Sequence, residues 1–214
     1  MKKIFLGIFS ILLIDQFFKI YIKTHFELGN GIPIFPFFWI FFVENPGMAY
    51  GLSLFPGNKG KILLSIFRLI FVFFLFIFIC NKIKKKSSNY LIIPSIFILS
   101  GAIGNLIDSA LYGLLFNKGT IYYKKFHKWI PYTGLSKIQN PFNKNGYASF
   151  LEGCVVDMFY FPIINTNIPN WFPFFGGCKF QLFKPVFNFS DVIIFFGILF
   201  LLIFNKKIKH IKIF

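Results

Sequence analysis

Four stretches of this chain are apolar over about the length that a bilayer demands, and this constrains the fold more than any other feature. A transmembrane helix needs roughly 20 mainly apolar residues. The stretches run over residues 4–22, 62–80, 90–111 and 186–204. In hydrocarbon every backbone N–H and C=O must be satisfied within the protein, so stretches of this kind form helices. Composition agrees: 56% of the residues are hydrophobic and 14% charged, against about 25% charged in soluble domains. The predicted fold is an all-α membrane bundle of four transmembrane helices, a single domain over residues 1–214. The first stretch follows Met1-Lys2-Lys3 as a signal peptide would, but it lacks a small-residue cleavage site and contains Asp15 and Lys19. A retained helix is expected.

The lysines predict an orientation. Lys2 and Lys3 precede the first stretch, Lys82, Lys84, Lys85 and Lys86 crowd the link between the second and third, and Lys206, Lys207, Lys209 and Lys212 follow the fourth. With four spans, all three clusters fall on one side, and positive charge marks the cytoplasm. Both termini are then cytoplasmic, and residues 24–61 and 112–185 lie outside. The net charge of +16 therefore reads as headgroup anchoring rather than nucleic-acid binding. The outer region is rich in Tyr and Trp, which favour the lipid–water interface, and it is broken by turns such as Asn143-Lys144-Asn145-Gly146. Runs such as Gly153–Tyr160 read as strand. A small β-rich extracytoplasmic cap is predicted, with residues 116–150 as an insertion in it. Cys154 and Cys178 both fall in this region, and sequence leaves their pairing open. His25, His127 and His210 are scattered and lack metal-ligand spacing, so no metal and no cofactor is expected.

The chain has only four aspartates, Asp15, Asp108, Asp157 and Asp191, and each interrupts apolar sequence. A carboxylate near hydrocarbon needs a proton, a partner or a function. At about 1.5 Å per residue, Asp108 lies about 27 Å along the third stretch, close to the outer surface. Asp191 begins the fourth stretch, Asp15 falls in the outer half of the first, and Asp157 belongs to the outer region. Four carboxylates distant in sequence thus converge on one face of the membrane.

Three of the four have a plainer reading beside the functional one. Gly101, Gly104, Asn105 and Asp108 share one helix face, which also suits close helix packing. Asp15 and Lys19, at i and i+4, suit a structural ion pair. Asn188 and Asp191 suit a helix N-cap. Asp157 has no such excuse, because strands disfavour aspartate. Asn45-Pro46-Gly47-Met48-Ala49-Tyr50-Gly51 reads either as a turn or as a loop whose backbone approaches a peptide.

Taken together and in order, Asp15–Lys19, Asn45–Gly51, Gly101–Asp108, Val155-Val156-Asp157 and Phe187–Asp191 resemble the lipoprotein signal peptidase (signal peptidase II) family. The resemblance covers most of the chain apart from residues 116–150 and part of 162–184. It implies a bacterial inner-membrane aspartyl endopeptidase that removes signal peptides from diacylglyceryl-modified prolipoproteins, cutting just before the lipidated cysteine. It implies no cofactor and no obligatory protein partner. Asp157 and Asp191 match the catalytic pair, with Asp108 the next candidate to partner Asp191. Asp15, Lys19, Asn45, Gly47, Ala49, Asn105, Asp108 and Asn188 match substrate-binding or supporting positions. Ser109 stands where the family usually has arginine, and Ser190 where it usually has alanine. The alternative class is a small proton-coupled membrane transporter subunit, whose carboxylates would spread across the bilayer depth.

Overall fold

The computed structural model describes residues 2–47, 55, 57–141, 145–162, 164–167, 169–171, 173, 176–177, 179–182 and 185–210. Ala49, Gly51, Cys178 and Lys212 lie outside the described residues, so the expectations made for them are not addressed. Three helices are long and apolar enough to cross a membrane. They are α1 (Lys2–His25), α2 (Gly57–Lys84) and α3 (Asn89–Leu115). All three overrun the apolar stretches that predict them, because their polar ends remain helical beyond the hydrocarbon-compatible core. Between α1 and α2 lie β1 (Gly31–Phe35) and β2 (Phe38–Asn45), a hairpin that the reading of residues 24–61 as a loop misses.

After α3 come β3 (Ile121–Tyr123), β4 (Lys128–Ile130), β5 (Val155–Tyr160), β6 (Ile164–Asn167), β7 (Lys179–Leu182) and β8 (Val186–Phe187), then α4 (Phe189–Ile203) and α5 (Asn205–His210). The fourth apolar stretch is therefore not one helix over residues 186–204. Its first two residues pair with β5 instead, Val186 opposite Tyr160 and Phe187 opposite Phe159. The helix α4 has 15 residues and spans about 22 Å, less than the ~30 Å hydrocarbon core.

α3 is the central helix and packs against α1, α2 and α4. Small residues make this possible. A Cβ on Gly101 would strike the backbone oxygen of Ser190, and one on Gly197 would lie 2.8 Å from the oxygen of Pro94. The lipid-compatible surface is apolar: Phe5, Phe9 and Phe17 on α1, Phe67, Phe71 and Phe74 on α2, and Phe195 and Leu202 on α4 are all exposed. The polar side chains lie inside. Asp15, Lys19, Lys23, Lys61, Asp108 and Asn188 are each at most 2% exposed, the inverse of a soluble protein's arrangement.

A four-stranded antiparallel sheet of order β1-β2-β5-β8 adjoins the helices. Its pairing places Val43 opposite Asp157 and Asn45 opposite Val155. β5 joins α3 through Asp108, whose Oδ2 accepts from Val156 N at 3.2 Å. Within residues 116–150, β3 and β4 form a hairpin. The chain then returns along the last turns of α3, where Ala148 N donates to Gly113 O and Gly153 N to Ser109 O.

A buried ion pair between Lys23 and Glu44 joins α1 to β2, and the excursion is pinned to it where Thr120 N donates to Glu44 Oε2 at 2.6 Å. The rings of Phe116, Tyr132 and Tyr147 surround the Lys23 ammonium, with centroids 4.9–5.3 Å away. The reading of the net charge as headgroup anchoring does not extend to Lys23 and Lys61, which lie inside the fold, whereas Lys19 makes the ion pair with Asp15 that its spacing suggests.

Candidate active site

The site grows from two amides whose orientations are fixed by their neighbours. On α1, Lys19 Nζ lies 3.0 Å from Asp15 Oδ2 and 2.9 Å from Asp108 Oδ2. It also donates to Asn105 Oδ1 at 2.9 Å. An ammonium only donates, so the oxygen of Asn105 must face α1. Its nitrogen then faces α4 and donates to Asp191 Oδ1 at 2.9 Å.

The second amide is Asn188. Its Oδ1 accepts from Asp191 N at 2.9 Å, while its own N donates to Asp191 Oδ2 at 3.2 Å. This is a capping box at the start of α4. With the oxygen committed to the cap, the nitrogen donates to Asp157 Oδ1 at 2.7 Å and to Asn105 Oδ1 at 3.1 Å. The capping and functional readings of Asn188 are therefore one arrangement. The cap aims the amide at Asp157.

Asn45 completes the set. Its Nδ2 donates to Asp157 Oδ2 at 3.3 Å, and its Oδ1 accepts from Gly47 N at 3.0 Å. Asp157 and Asp191 line one cleft of about 730 Å³, together with Asn45, Gly47, Asn105 and Arg68. Burial, reinforced by the nearby charge of Asp191, pushes the Asp157 carboxyl up to about 7. Desolvation and a like charge both disfavour the anion, so the Asp157 carboxyl is pushed toward its protonated form.

The remaining expected residues stand behind the pair. Asp15 Oδ1 accepts from Ser190 N at 2.9 Å, tying α1 to the start of α4. Asp108 is engaged by Lys19, by Gln16 Nε2 at 3.0 Å and by Val156 N. It positions β5 and is not among the residues lining the cleft. Gly101, Gly104, Asn105 and Asp108 do share a buried face, and that face serves both packing and polar contact. The Cys154 thiol is buried and unpaired, and burial pushes it up to about 12. Among the described residues, no cluster of His, Cys, Asp and Glu suits a metal ion.

Sequence reasoning missed Arg68, Gln16, Lys23 and Glu44. Gln16 links three groups, donating to Asp15, Asp108 and Gly104 O while accepting from the Tyr112 hydroxyl at 2.9 Å. Arg68 was the most visible of the four, being the chain's single arginine, set within an apolar helix. Ionisable groups inside spans mark sites by default.

Three membrane-length helices, closed by a sheet around a carboxylate-lined cleft, define a membrane protein with a built polar site. The sequence profile of signal peptidase (SPase) II matches residues 7–206. A lipoprotein signal peptidase of Porphyromonas gingivalis is 37% identical over 194 residues, covering 90% of this chain and 78% of that protein. One from Amoebophilus asiaticus is 30% identical over 198 residues, covering 91% and 73%. A solved bacterial membrane enzyme shares the fold, with a TM-score of 0.56 at 20% identity over 97% of this chain and 89% of that one. The chain belongs to the signal peptidase II family, and is a membrane peptidase.

Proposed function

We propose that this protein is an aspartyl endopeptidase that removes signal peptides from diacylglyceryl-modified prolipoproteins, cutting just before the lipidated cysteine, with Asp157 and Asp191 as the catalytic pair. The observation that carries the reading is the shared amide. Asn188 contacts both aspartates, and both line one cleft. The names of the relatives supply the substrate class.

Asp191 lies in the first turn of α4, where the free N–H groups and the helix dipole favour negative charge. Asp157, raised by burial and by that charge, holds the shared proton. The ionised carboxylate takes a proton from water as the water attacks the scissile carbonyl. The protonated one donates to the carbonyl oxygen and later assists the leaving amine.

In this reading α4 serves as the fourth span, with α5 continuing toward the headgroups. Both termini are cytoplasmic in the bacterial inner membrane and the cleft opens at the outer face. Acyl chains hold the substrate cysteine at that level, so confinement to the membrane plane supplies part of the orientation.

The test is Asp157→Asn and Asp191→Asn in purified protein with a lipidated prolipoprotein. Each variant should remain folded in detergent and release no signal peptide. Near-normal cleavage by either would remove that residue from the catalytic pair.

A further inference from the structure

Arg68 is the only cation lining the cleft among the described residues. The other nearby cations are committed elsewhere: Lys19 to Asp15 and Asp108, Lys23 to Glu44, and Lys61 within 3.5 Å of Ser109 Oγ without lining the cleft. The chain has one arginine against 22 lysines. A guanidinium differs from an ammonium in reaching two acceptors in fixed, diverging directions.

That difference is what the geometry uses. Arg68 Nη1 donates to Ser109 Oγ at 2.7 Å, and Nη2 to Gly47 O at 3.3 Å. From Ser109 the hydroxyl donates to Asn105 O at 3.0 Å, and the Asn105 side chain holds Asp191 Oδ1 at 2.9 Å. From Gly47 the backbone N–H donates to Asn45 Oδ1 at 3.0 Å, and Asn45 Nδ2 holds Asp157 Oδ2 at 3.3 Å. One side chain on α2 therefore begins two hydrogen-bond paths, one ending on each aspartate. The first path runs through α3 and the second through the end of β2.

We propose that Arg68 is a positioning residue that clamps the two walls of the cleft, setting the separation of Asp157 and Asp191 and supplying the positive charge that balances the pair. Among the described residues, Arg68 forms no salt bridge with either aspartate. Its charge acts across the cleft. The proposal rests on the aspartyl reading above. It also gives the Ser109 position a role. A short hydroxyl there accepts a cation arriving from α2, where an arginine at residue 109 would oppose it.

The experiment compares Arg68→Gln, Arg68→Lys and Asp157→Asn in the full-length protein, with cleavage of a lipidated prolipoprotein followed across pH and melting followed in detergent. Arg68→Gln removes the charge, and kcat should fall about 30-fold as a charge-assisted contact is lost, with KM nearly constant. Both limbs of its pH–rate profile should move up by about one unit, because a lost cation makes each proton on the pair harder to remove. Arg68→Lys keeps the charge but not the fork, so its limbs should stay at the wild-type pH while kcat still falls.

Wild-type kcat in either variant, or an Arg68→Gln profile with unmoved limbs, overturns the clamp. If Arg68→Gln does not fold, the kcat of Arg68→Lys decides alone. An inactive Asp157→Asn beside fully active Arg68 variants removes only the clamp, whereas an active Asp157→Asn removes the aspartyl reading on which it stands.

Discussion

Replacing Asn188 by serine separates two jobs that one side chain performs. Serine and asparagine are about equal as helix N-caps, so the bond accepted from Asp191 N, 2.9 Å in the native protein, has a substitute and α4 should start as before. The amide donor has none. Its bonds to Asp157 Oδ1 at 2.7 Å and Asn105 Oδ1 at 3.1 Å disappear. A hydrogen bond to a charged group contributes about 1.5–3 kcal/mol, and each ~1.4 kcal/mol is tenfold in rate. Because the amide steadies the reacting carboxylate, the loss should appear as a drop of about 10- to 100-fold in kcat/KM. Melting in detergent should change little, since the cap, worth ~1 kcal/mol, survives. Asn188→Ala should lose both, with the same catalytic defect and an added fall in melting temperature. The assay is the mobility shift of a lipidated prolipoprotein on gels, at substrate concentrations well below KM. Wild-type kcat/KM in Asn188→Ser would mean that Asp157 is held without this amide, and the reasoning would fail.

Other expected outcomes follow from the same contacts. Activity requires the shared proton, and Asp157 loses it near pH 7, so cleavage should decline as pH rises through that value; a flat profile from pH 6 to 9 would contradict this. Lys23→Met leaves Glu44 buried without its partner and should destabilise the fold by about 3–5 kcal/mol, a loss that the double variant with Glu44→Gln should largely recover in detergent melts. Gly104→Val forces a side chain against Ser190 Oγ and within 2.6 Å of Asp15 Oδ2. It should prise α3 from α4 and abolish cleavage together with the native melting transition.

Much of this molecule is legible along the chain because the bilayer is a stringent solvent. Apolar length selects α1, α2 and α3, since a continuous apolar stretch of about 20 residues satisfies its own backbone in hydrocarbon only as a helix. The four aspartates stand out for the complementary reason, a charge in apolar sequence being costly enough to need a purpose. The i, i+3, i+4, i+7 spacing puts Gly101, Gly104, Asn105 and Asp108 on one face. Asn188 and Asp191 carry their cap in their spacing.

What stayed hidden is what depends on partners remote in sequence. The β1–β2 hairpin lies in sequence that reads as an outer loop, and only pairing with β5 makes it part of a four-stranded sheet. Val186 and Phe187 look like the start of a helix until β5 claims them. Lys23 and Glu44 are separated by 21 residues, and no local pattern joins them. Arg68 stands out as a cation inside an apolar stretch, but its partners Ser109 and Gly47 meet it only in the fold.

Hydrocarbon thickness and helical period act along the sequence, so the spans, the buried face of α3 and the candidate carboxylates can be read from residue order alone. Hydrogen bonds act over about 3 Å between groups that the chain brings together only when folded. For that reason the tertiary structure alone decided that Asn188 reaches Asp157, that Lys19 turns Asn105 toward Asp191, and that Asp108 stands behind the cleft instead of within it.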